Sequence, residues 1–259
     1  MSVIVDSPLV LFAVSLLAQW AAAFGGRLAR RSRPADEAER DEIVTVLNAS
    51  LTLLALLIGF SLAMAVGRYD QRKTYEEAEA NAIGTQYLRA DLLPPDAAAQ
   101  VHALLVSYTR QRIIYYEERD ARRLAPIDAE TARLQGELWN TIAAAGRAQQ
   151  TAPMMLVVSG MNDVINAQGF TQSAWWNRIP GPVWVLLLTA AVTCNALLGR
   201  AESRVSIVTL LVLPVLLSVS LFLIAEIDSP RLGIIRVEPH NLVAALHGLP
   251  PRPPPATAN

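Results

Sequence analysis

The residues best suited to specific polar contacts form a ladder at four-residue spacing: Glu77, Asn81, Thr85 and Arg89. Residues four apart lie on one face of a helix, so the ladder could exchange hydrogen bonds and ion pairs with a second helix. A solvated helix face is the alternative. However, Asn and Thr are mediocre helix formers, and Gly84 within the same helix costs about 1 kcal/mol relative to alanine. We therefore expect the ladder to contact another helix or another subunit, with Gly84 permitting close approach.

Residue patterns that would indicate an enzyme or a metal site are missing from the sequence. The three histidines, His102, His240 and His247, are not spaced as metal ligands, and there is no glycine-rich phosphate loop or nucleophile elbow. Glu226 and Asp228 could hold a cation, but two carboxylates without a third ligand are weak evidence. We expect no catalysis, no cofactor and no metal.

The composition indicates a membrane protein. Of 259 residues, 53% are hydrophobic and 17% charged, and the net charge of -1 gives no reason to expect a nucleic-acid partner. Roughly 20 apolar residues cross a bilayer core, and four uncharged runs approach or exceed this length. They predict transmembrane helices at 8–26, 46–67, 181–199 and 205–225. The first run has an alternative as a cleaved signal peptide, ending near Ala21–Ala23, but it lacks a basic start.

The remaining segments are predicted as a charged loop at 27–45, a helical extramembrane domain at 68–180, and a C-terminal segment at 226–259 with a proline-rich, disordered tail. Four spans put both termini and the large domain on one side of the membrane. Basic residues beside the spans are nearly balanced between the two sides, so charge alone does not orient the chain.

Prolines divide the large domain into four predicted helices. Pro94–Pro95 ends the first helix, and Asp96 is predicted to cap the second. Ala125–Pro126 is predicted to end the second helix near Leu124, and Asp128 to cap the third. Thr151, followed by Pro153, opens the fourth.

A stripe of small residues follows one side of the second predicted span. Gly59, Ala63 and Gly67 recur at every fourth position, a pattern that lets helices pack closely in lipid. The stripe predicts either helix packing or a pore-facing surface, and helix packing is the commoner explanation.

Several separate motifs resemble the bestrophin-like family of bacterial membrane proteins, a domain of unknown function. In chain order they are "GFSLAMAVGRY", "EEAEANAIGTQYLRADLL", "LLVSYTRQR", "SGMNDVIN", "IPGPVW" and "IDSPRLGIIRVEPHNLVAAL". The resemblance covers about residues 45–248. It makes the following residues a family signature and candidates for polar contacts between helices: Glu77, Asn81, Gly84, Thr85, Arg89, Asn162, Asp163, Asp228, Pro230 and Gly233.

The family is distantly similar to bestrophins, pentameric anion channels with four spans per subunit and a large helical cytosolic part. In bestrophins the second span lines the pore, and here Gly59-Phe60 precedes Arg68-Tyr69 at the bestrophin spacing. The resemblance implies a pore neck of Thr52, Leu56 and Phe60, with Thr52 departing from the apolar residue usual there. The acidic calcium clasp of bestrophins has no full counterpart.

Three basic residues follow the second span: Arg68, Arg72 and Lys73. They could enrich anions at a pore mouth, or they could simply anchor the topology.

Together these features predict an all-α protein of a bacterial inner membrane, with a helical extramembrane domain between its second and third spans. We expect a homo-oligomer in the lipid bilayer, a pentamer by the resemblance, that passes ions, with anions expected. The resemblance also places the large domain in the cytoplasm. The alternative is a non-conducting scaffold or signalling component whose large domain binds a protein partner.

Overall fold

The computed structural model describes residues 7–201 and 207–249. Every regular element in these ranges is helical, which confirms the predicted all-α class. The helices are α1 (Pro8–Ser32), α2 (Glu37–Arg89), α3 (Pro95–Glu117), α4 (Leu124–Ala148), α5 (Ala152–Trp176), α6 (Gly181–Ala201), α7 (Ile207–Asp228) and α8 (His240–His247). Short 3-10 turns occupy Ala90–Leu92 and Ala121–Arg123.

Four helical stretches are long and apolar enough to cross a membrane, as predicted: Pro8–Ser32, Glu37–Leu92, Ala152–Ala201 and Ile207–Asp228. Residues 205–206 of the predicted fourth span and the proline-rich tail from 250 onward lie outside the described residues.

The helices extend well beyond the predicted spans. Only residues 33–36 separate α1 from α2, so most of the segment predicted as a loop at 27–45 is helical. Asp36 helps to start α2, because its carboxylate accepts the Glu39 N–H (2.8 Å) and so satisfies one of the unpaired amides of the first turn. From there α2 continues for 53 residues.

The chain divides into two compact units. The first unit comprises residues 1–69 and 178–236, and the second comprises 70–177 and 237–259. Helix α2 contributes residues to both.

Several predicted helix ends in the second unit were wrong. Helix α3 begins at Pro95 with Pro94 as its N-cap, so Asp96 lies in the first turn. It ends at Glu117, and α4 begins at Leu124 with Pro126 in its first turn and Asp128 inside the helix. The physical reason is that proline is tolerated in the first turn, where its missing N–H would be unpaired anyway. Thr151 does precede α5, as predicted.

In the first unit, α1 and α6 pack backbone against backbone at two glycines. A Cβ added to Gly199 would lie 2.0 Å from the Ala23 carbonyl oxygen, and one added to Gly26 would lie 2.1 Å from the Ala196 carbonyl oxygen. Apolar burial gives no driving force between helices in lipid, so close packing of this kind is an important source of attraction. The stripe on the second span predicted such packing, or a pore-facing surface, at Gly59 and Gly67, but no atom of a neighbouring described residue lies within 4 Å of a Cβ added at either glycine.

A chain of polar side chains joins α1, α6 and α7 inside the first unit. Asn195 Nδ2 donates to Gln19 Oε1 (3.0 Å), and Gln19 Nε2 donates to Ser218 Oγ (2.9 Å). All three residues are fully buried. Hydrogen bonds between apolar helices hold them together where lipid offers the side chains no alternative partner.

Replacing Gly199 with alanine should destabilise the first unit. The new methyl group would meet backbone atoms, which cannot move aside as a flexible side chain would, and overpacking of this kind costs about 1–3 kcal/mol. We expect the Tm of the detergent-solubilised protein to fall by about 3–10 °C. Gly25→Ala is the matched control, because no described atom lies within 4 Å of a Cβ there. Equal melting temperatures for the two variants would contradict the close α1–α6 contact.

Candidate functional site

The three predicted neck residues lie on an uncovered side of α2 in the first unit. Thr52, Leu56 and Phe60 are all exposed in the single chain, Leu56 by 54% and Phe60 by 69%. The Thr52 hydroxyl donates to the Asn48 carbonyl of its own helix (2.9 Å). This hydrogen bond gives the hydroxyl a partner in apolar surroundings. This side of α2 is therefore available to lipid, to a pore or to another subunit.

The three predicted mouth residues have different surroundings. In the first unit, Arg68 Nη1 lies 3.4 Å from Asp228 Oδ1. In the second unit, Arg72 is buried with 1% exposure, whereas Lys73 is exposed. The mouth stays a prediction, and Lys73 is the member of the three whose charge most clearly faces outward.

Asp228, at the end of α7, is the centre of a buried polar cluster in the first unit. The Ile179 N–H donates to both carboxylate oxygens (3.1 and 3.2 Å). Arg68 approaches one oxygen, and Arg178 Nε lies 3.5 Å from the other. The Asp228 side chain is fully buried, and a buried carboxylate is tolerated only with such charge and hydrogen-bond partners. It thus joins α2, the turn before α6 and the end of α7.

The turn after α7 uses a second carboxylate in a similar way. The Ile234 N–H donates to Glu226 Oε2 (2.5 Å), and a Cβ at Gly233 would lie 2.6 Å from the Glu226 carbonyl oxygen. Gly233 is therefore needed for close approach, and the signature residue Pro230 lies half-buried in the same turn. Both carboxylates considered as cation ligands bind backbone amides instead. Among the described residues, no three His, Cys, Asp or Glu side chains are grouped closely enough to hold a metal ion.

The polar ladder lies mostly on the surface of the second unit. Glu77, Asn81 and Thr85 are exposed. At Gly84, none of the described atoms comes within 4 Å of an added Cβ. The ladder therefore has no close helix beside its glycine in the single chain.

The last residue of the ladder does bind a second helix. Arg89 is half-buried and pairs with Asp163 on α5 (3.3 Å). Asn162, beside it in sequence, is exposed. The neighbouring Gly160 admits this contact, since a Cβ there would lie 2.6 Å from Arg89 Nη1 and 2.1 Å from Gln86 Oε1.

The most extensive buried polar cluster of the second unit was missed by the sequence analysis. Arg112 on α3 pairs with Glu79 on α2 through its Nε, and its Nη2 lies 3.4 Å from the second Glu79 oxygen. That oxygen also accepts hydrogen bonds from Thr171 (3.0 Å) and Tyr116 (3.3 Å). The guanidinium lies 4.3 Å from the Tyr115 ring centroid, a favourable cation–π distance.

The environment of this cluster keeps the phenols of Tyr116 and of the neighbouring Tyr108 neutral and the guanidinium of Arg112 charged. Burial, followed by the charge of Glu79, raises the pKa of Tyr108 and of Tyr116, which keeps both phenols neutral. Burial acts to lower the pKa of Arg112, but Glu79 and the two phenols raise it overall, so the guanidinium stays charged. A charge-balanced pair of this kind braces helices rather than exchanging protons, although the buried Nη1 of Arg112 has no hydrogen-bond partner among the described residues.

The signal for this cluster was present in the sequence. The buried polar and apolar residues on this stretch of α2 recur at three- and four-residue intervals: Arg72, Glu76, Glu79, Ile83 and Gln86. Glu76 also anchors α8, because its carboxylate accepts the Leu242 N–H (2.9 Å) and the Asn241 side-chain amide (2.6 Å). The predicted contact residues belong instead to the neighbouring ladder, which runs along the exposed side.

Comparison with known proteins identifies the family. Residues 9–242 match a model of the bestrophin-like domain, so the chain belongs to the bestrophin-like family, and the resemblance seen in the motifs is confirmed. No protein with a curated function matches the sequence.

Solved structures share the fold. A crystal structure of a bacterial bestrophin homologue from Klebsiella pneumoniae, carrying a tyrosine-to-alanine substitution, is 14% identical with a TM-score of 0.67, covering 91% of this chain and 96% of that one. Another structure of the Klebsiella pneumoniae homologue is 15% identical with a TM-score of 0.66, covering 92% and 96%. A crystal structure described as a membrane protein is 14% identical with a TM-score of 0.68, covering 92% and 97%. With the four apolar helices, these similarities establish a multi-pass membrane protein.

Replacing Asp228 with asparagine should destabilise the first unit strongly. The change leaves Arg68 and Arg178 without the carboxylate they approach, and removing one partner of a buried pair costs about 3–5 kcal/mol. We expect the Tm in detergent to fall by about 10 °C.

Asp163→Asn is the control for this loss of charge, because Asp163 also pairs with an arginine but its side chain is 57% exposed. An exposed pair contributes at most about 1 kcal/mol, so this variant should melt close to wild type. Similar losses for both variants would argue against a central role for Asp228.

Proposed function

We propose that the protein forms a homo-oligomer, with a pentamer as the working stoichiometry, that conducts anions across the bacterial inner membrane through a neck of Thr52, Leu56 and Phe60. The observation that carries the proposal is the exposed neck side of α2 in a chain that belongs to the bestrophin-like family. The orientation proposed with it places the second unit in the cytoplasm.

Apolar side chains arranged in a ring form a gate by excluding water from a narrow constriction. Phe60 and Leu56 are large, apolar and exposed one helical turn apart on α2, as such a ring requires. Thr52 lies a further turn away with its hydroxyl bonded to its own helix, so its polarity is partly masked.

The charges beside the neck are compatible with anion entry. Lys73 is exposed, and a cation near a pore mouth raises the local concentration of anions. Arg68 contributes less to this field, because it approaches the carboxylate of Asp228.

A non-conducting scaffold is the second candidate. It is favoured by exposed apolar residues on the second unit. Met155 is highly exposed, and Phe170 is exposed while its ring stacks on Tyr75 with centroids 5.8 Å apart. In this case the second unit binds a protein partner and the membrane helices serve as an anchor.

Ion flux into liposomes tests the neck. Phe60→Ala and Leu56→Ala should each raise anion flux, because a smaller side chain widens the constriction and admits water. If the barrier falls by about 1 kcal/mol, the flux rises about fivefold. Leu216→Ala is the control, since Leu216 on α7 has a similar exposure of 58% but lies outside the proposed neck.

An absence of flux from the wild-type oligomer and from both neck variants would favour the scaffold. A flux that is equal in wild type, Phe60→Ala and Leu56→Ala would remove these two residues from the neck.

Asn81→Leu should weaken assembly if the ladder contacts a neighbouring subunit. Leucine cannot reproduce the hydrogen bonds of the amide, and a buried polar partner left unpaired costs about 1–3 kcal/mol. Native mass spectrometry of the solubilised particle should show wild-type oligomers and a larger share of dissociated chains for the variant.

Asn140→Leu provides the matched control for assembly, because Asn140 is also exposed but lies on α4, away from the ladder. An unchanged distribution of oligomers in Asn81→Leu would remove the ladder from the interface. A monomeric wild-type protein would leave α2 without a ring to line.

A further inference from the structure

A cavity of about 430 Å³ opens in the first unit between the start of α2 and the end of α6. It is lined by Glu37, Arg40, Asp41, Val44, Leu47, Leu198 and Ala201. The proposed neck (Thr52, Leu56 and Phe60) and the Asp228 cluster use none of these residues. Three of these residues are charged and four are aliphatic.

The order of these residues along α2 matches the profile of a bilayer surface. Leu47 lies within the apolar run predicted to cross the membrane, and Val44 is one turn before it. Glu37 precedes Val44 by about two turns, or about 10 Å along the helix axis. The headgroup layer on each side of the hydrocarbon core is about 5–8 Å thick. Arg40 and Asp41, about 6 and 4.5 Å before Val44, therefore fall at headgroup depth, and Glu37 lies just beyond it. Val44 and Leu47 face the acyl chains.

The charges in the cavity favour one kind of headgroup. Two carboxylates, Glu37 and Asp41, lie within about one helical turn of the guanidinium of Arg40. A ligand with an ammonium group and a phosphate can bind both kinds of charge through charge-assisted hydrogen bonds. Among the described lining residues, two carry a carboxylate and one carries a guanidinium, so an anionic headgroup without a cation would meet more negative than positive charge.

A nearby ion pair fixes the helices on which the cavity is built. Arg200 Nη2 on α6 lies 2.7 Å from Glu39 Oε1 on α2. Glu39 lies between Glu37 and Arg40 in sequence, and Arg200 lies between Leu198 and Ala201. The pair therefore holds together the two segments that line the cavity, which reduces the ordering cost of binding.

We propose that this cavity binds a phospholipid with a phosphoethanolamine headgroup. The primary ammonium donates to Glu37 and Asp41, the phosphate accepts from Arg40, and an acyl chain follows Val44, Leu47 and Leu198. A quaternary ammonium cannot donate these hydrogen bonds and is usually held by aromatic rings, whereas none of the described residues lining the cavity is aromatic. The proposal does not depend on ion conduction.

Native mass spectrometry of the full-length protein tests the proposal. The protein is titrated with three phospholipids that share the same acyl chains and differ in headgroup: ethanolamine, glycerol and choline. We expect the ethanolamine lipid to bind about tenfold more tightly than the other two, as expected for hydrogen bonds between charged groups. Equal affinities for the three lipids would overturn the proposal.

Substitutions in the lining residues test whether the preference for the ethanolamine lipid arises in the cavity. Glu37→Gln with Asp41→Asn should abolish the preference for ethanolamine over glycerol, whereas Arg40→Gln should weaken binding of all three phospholipids. Glu42→Gln is the matched control: Glu42 is exposed on the same helix, next to Asp41, but does not line the cavity. Retention of the preference in the double variant, or its loss in Glu42→Gln, would overturn the assignment.

Two further measurements separate recognition of charge from loss of structure, and a lipid from a soluble ligand. Glu37→Asp with Asp41→Glu keeps the charges and should keep the preference, so its loss there would count against charge recognition. Soluble phosphoethanolamine should compete only weakly, because it lacks the acyl chain. Binding as tight as that of the lipid would identify a free soluble ligand and overturn the lipid assignment.

Discussion

The first unit depends on the burial of one carboxylate. Asp228 has lost its contact with water, so the chain must bring its partners to it: the Ile179 N–H, Arg68 and Arg178. These groups come from α2 and from the turn that leads into α6, whereas Asp228 itself ends α7. Because the cost of an unmatched buried charge is several kcal/mol, alternative registers of these segments are excluded more firmly than apolar packing alone would exclude them.

The second unit is organised around a comparable constraint. Glu79 is fully buried, and its oxygens are bonded by Arg112, Tyr116 and Thr171 from α3 and α5. Arg68 and Glu79 both lie on α2, one in each unit. In both clusters the charges are matched in place, so these buried ions serve to position helices. The surfaces proposed for function lie elsewhere: on the uncovered side of α2, in the cavity near its start, and at exposed apolar residues of the second unit such as Met155.

Features that depend on neighbouring residues could be predicted from the sequence, whereas features that depend on distant pairs could not. An uncharged run of about 20 residues predicts a membrane helix wherever it occurs, and the spacing of Gly59-Phe60 from Arg68-Tyr69 points to the family. The partner of Arg68 is 160 residues away, and the sequence gives no reason to join them. The same is true of Gly26 and Gly199, which matter only because α1 and α6 cross at these positions. The helix end predicted at Pro126 was wrong because a proline breaks the interior of a helix but is tolerated in its first turn, where Pro126 lies.

In the second unit, the buried and exposed sides of α2 are hard to distinguish in the sequence, because both sides carry polar residues. Glu76 and Glu79 are buried, whereas Glu77 between them is exposed. Residues of one type within a single turn differ in burial only through the side of the helix they occupy.

On the exposed side, Asn81, Gly84 and Thr85 are poor choices for a helix that only faces water, since lysine, glutamine or alanine would stabilise it better. Their presence there is best explained by a contact that the single chain does not contain. The same argument applies in the first unit to Gly59 and Ala63, which are exposed where larger apolar residues would fill lipid equally well. If the proposed homo-oligomer forms, these two surfaces, each considered in its own unit, make α2 the expected helix of contact between subunits.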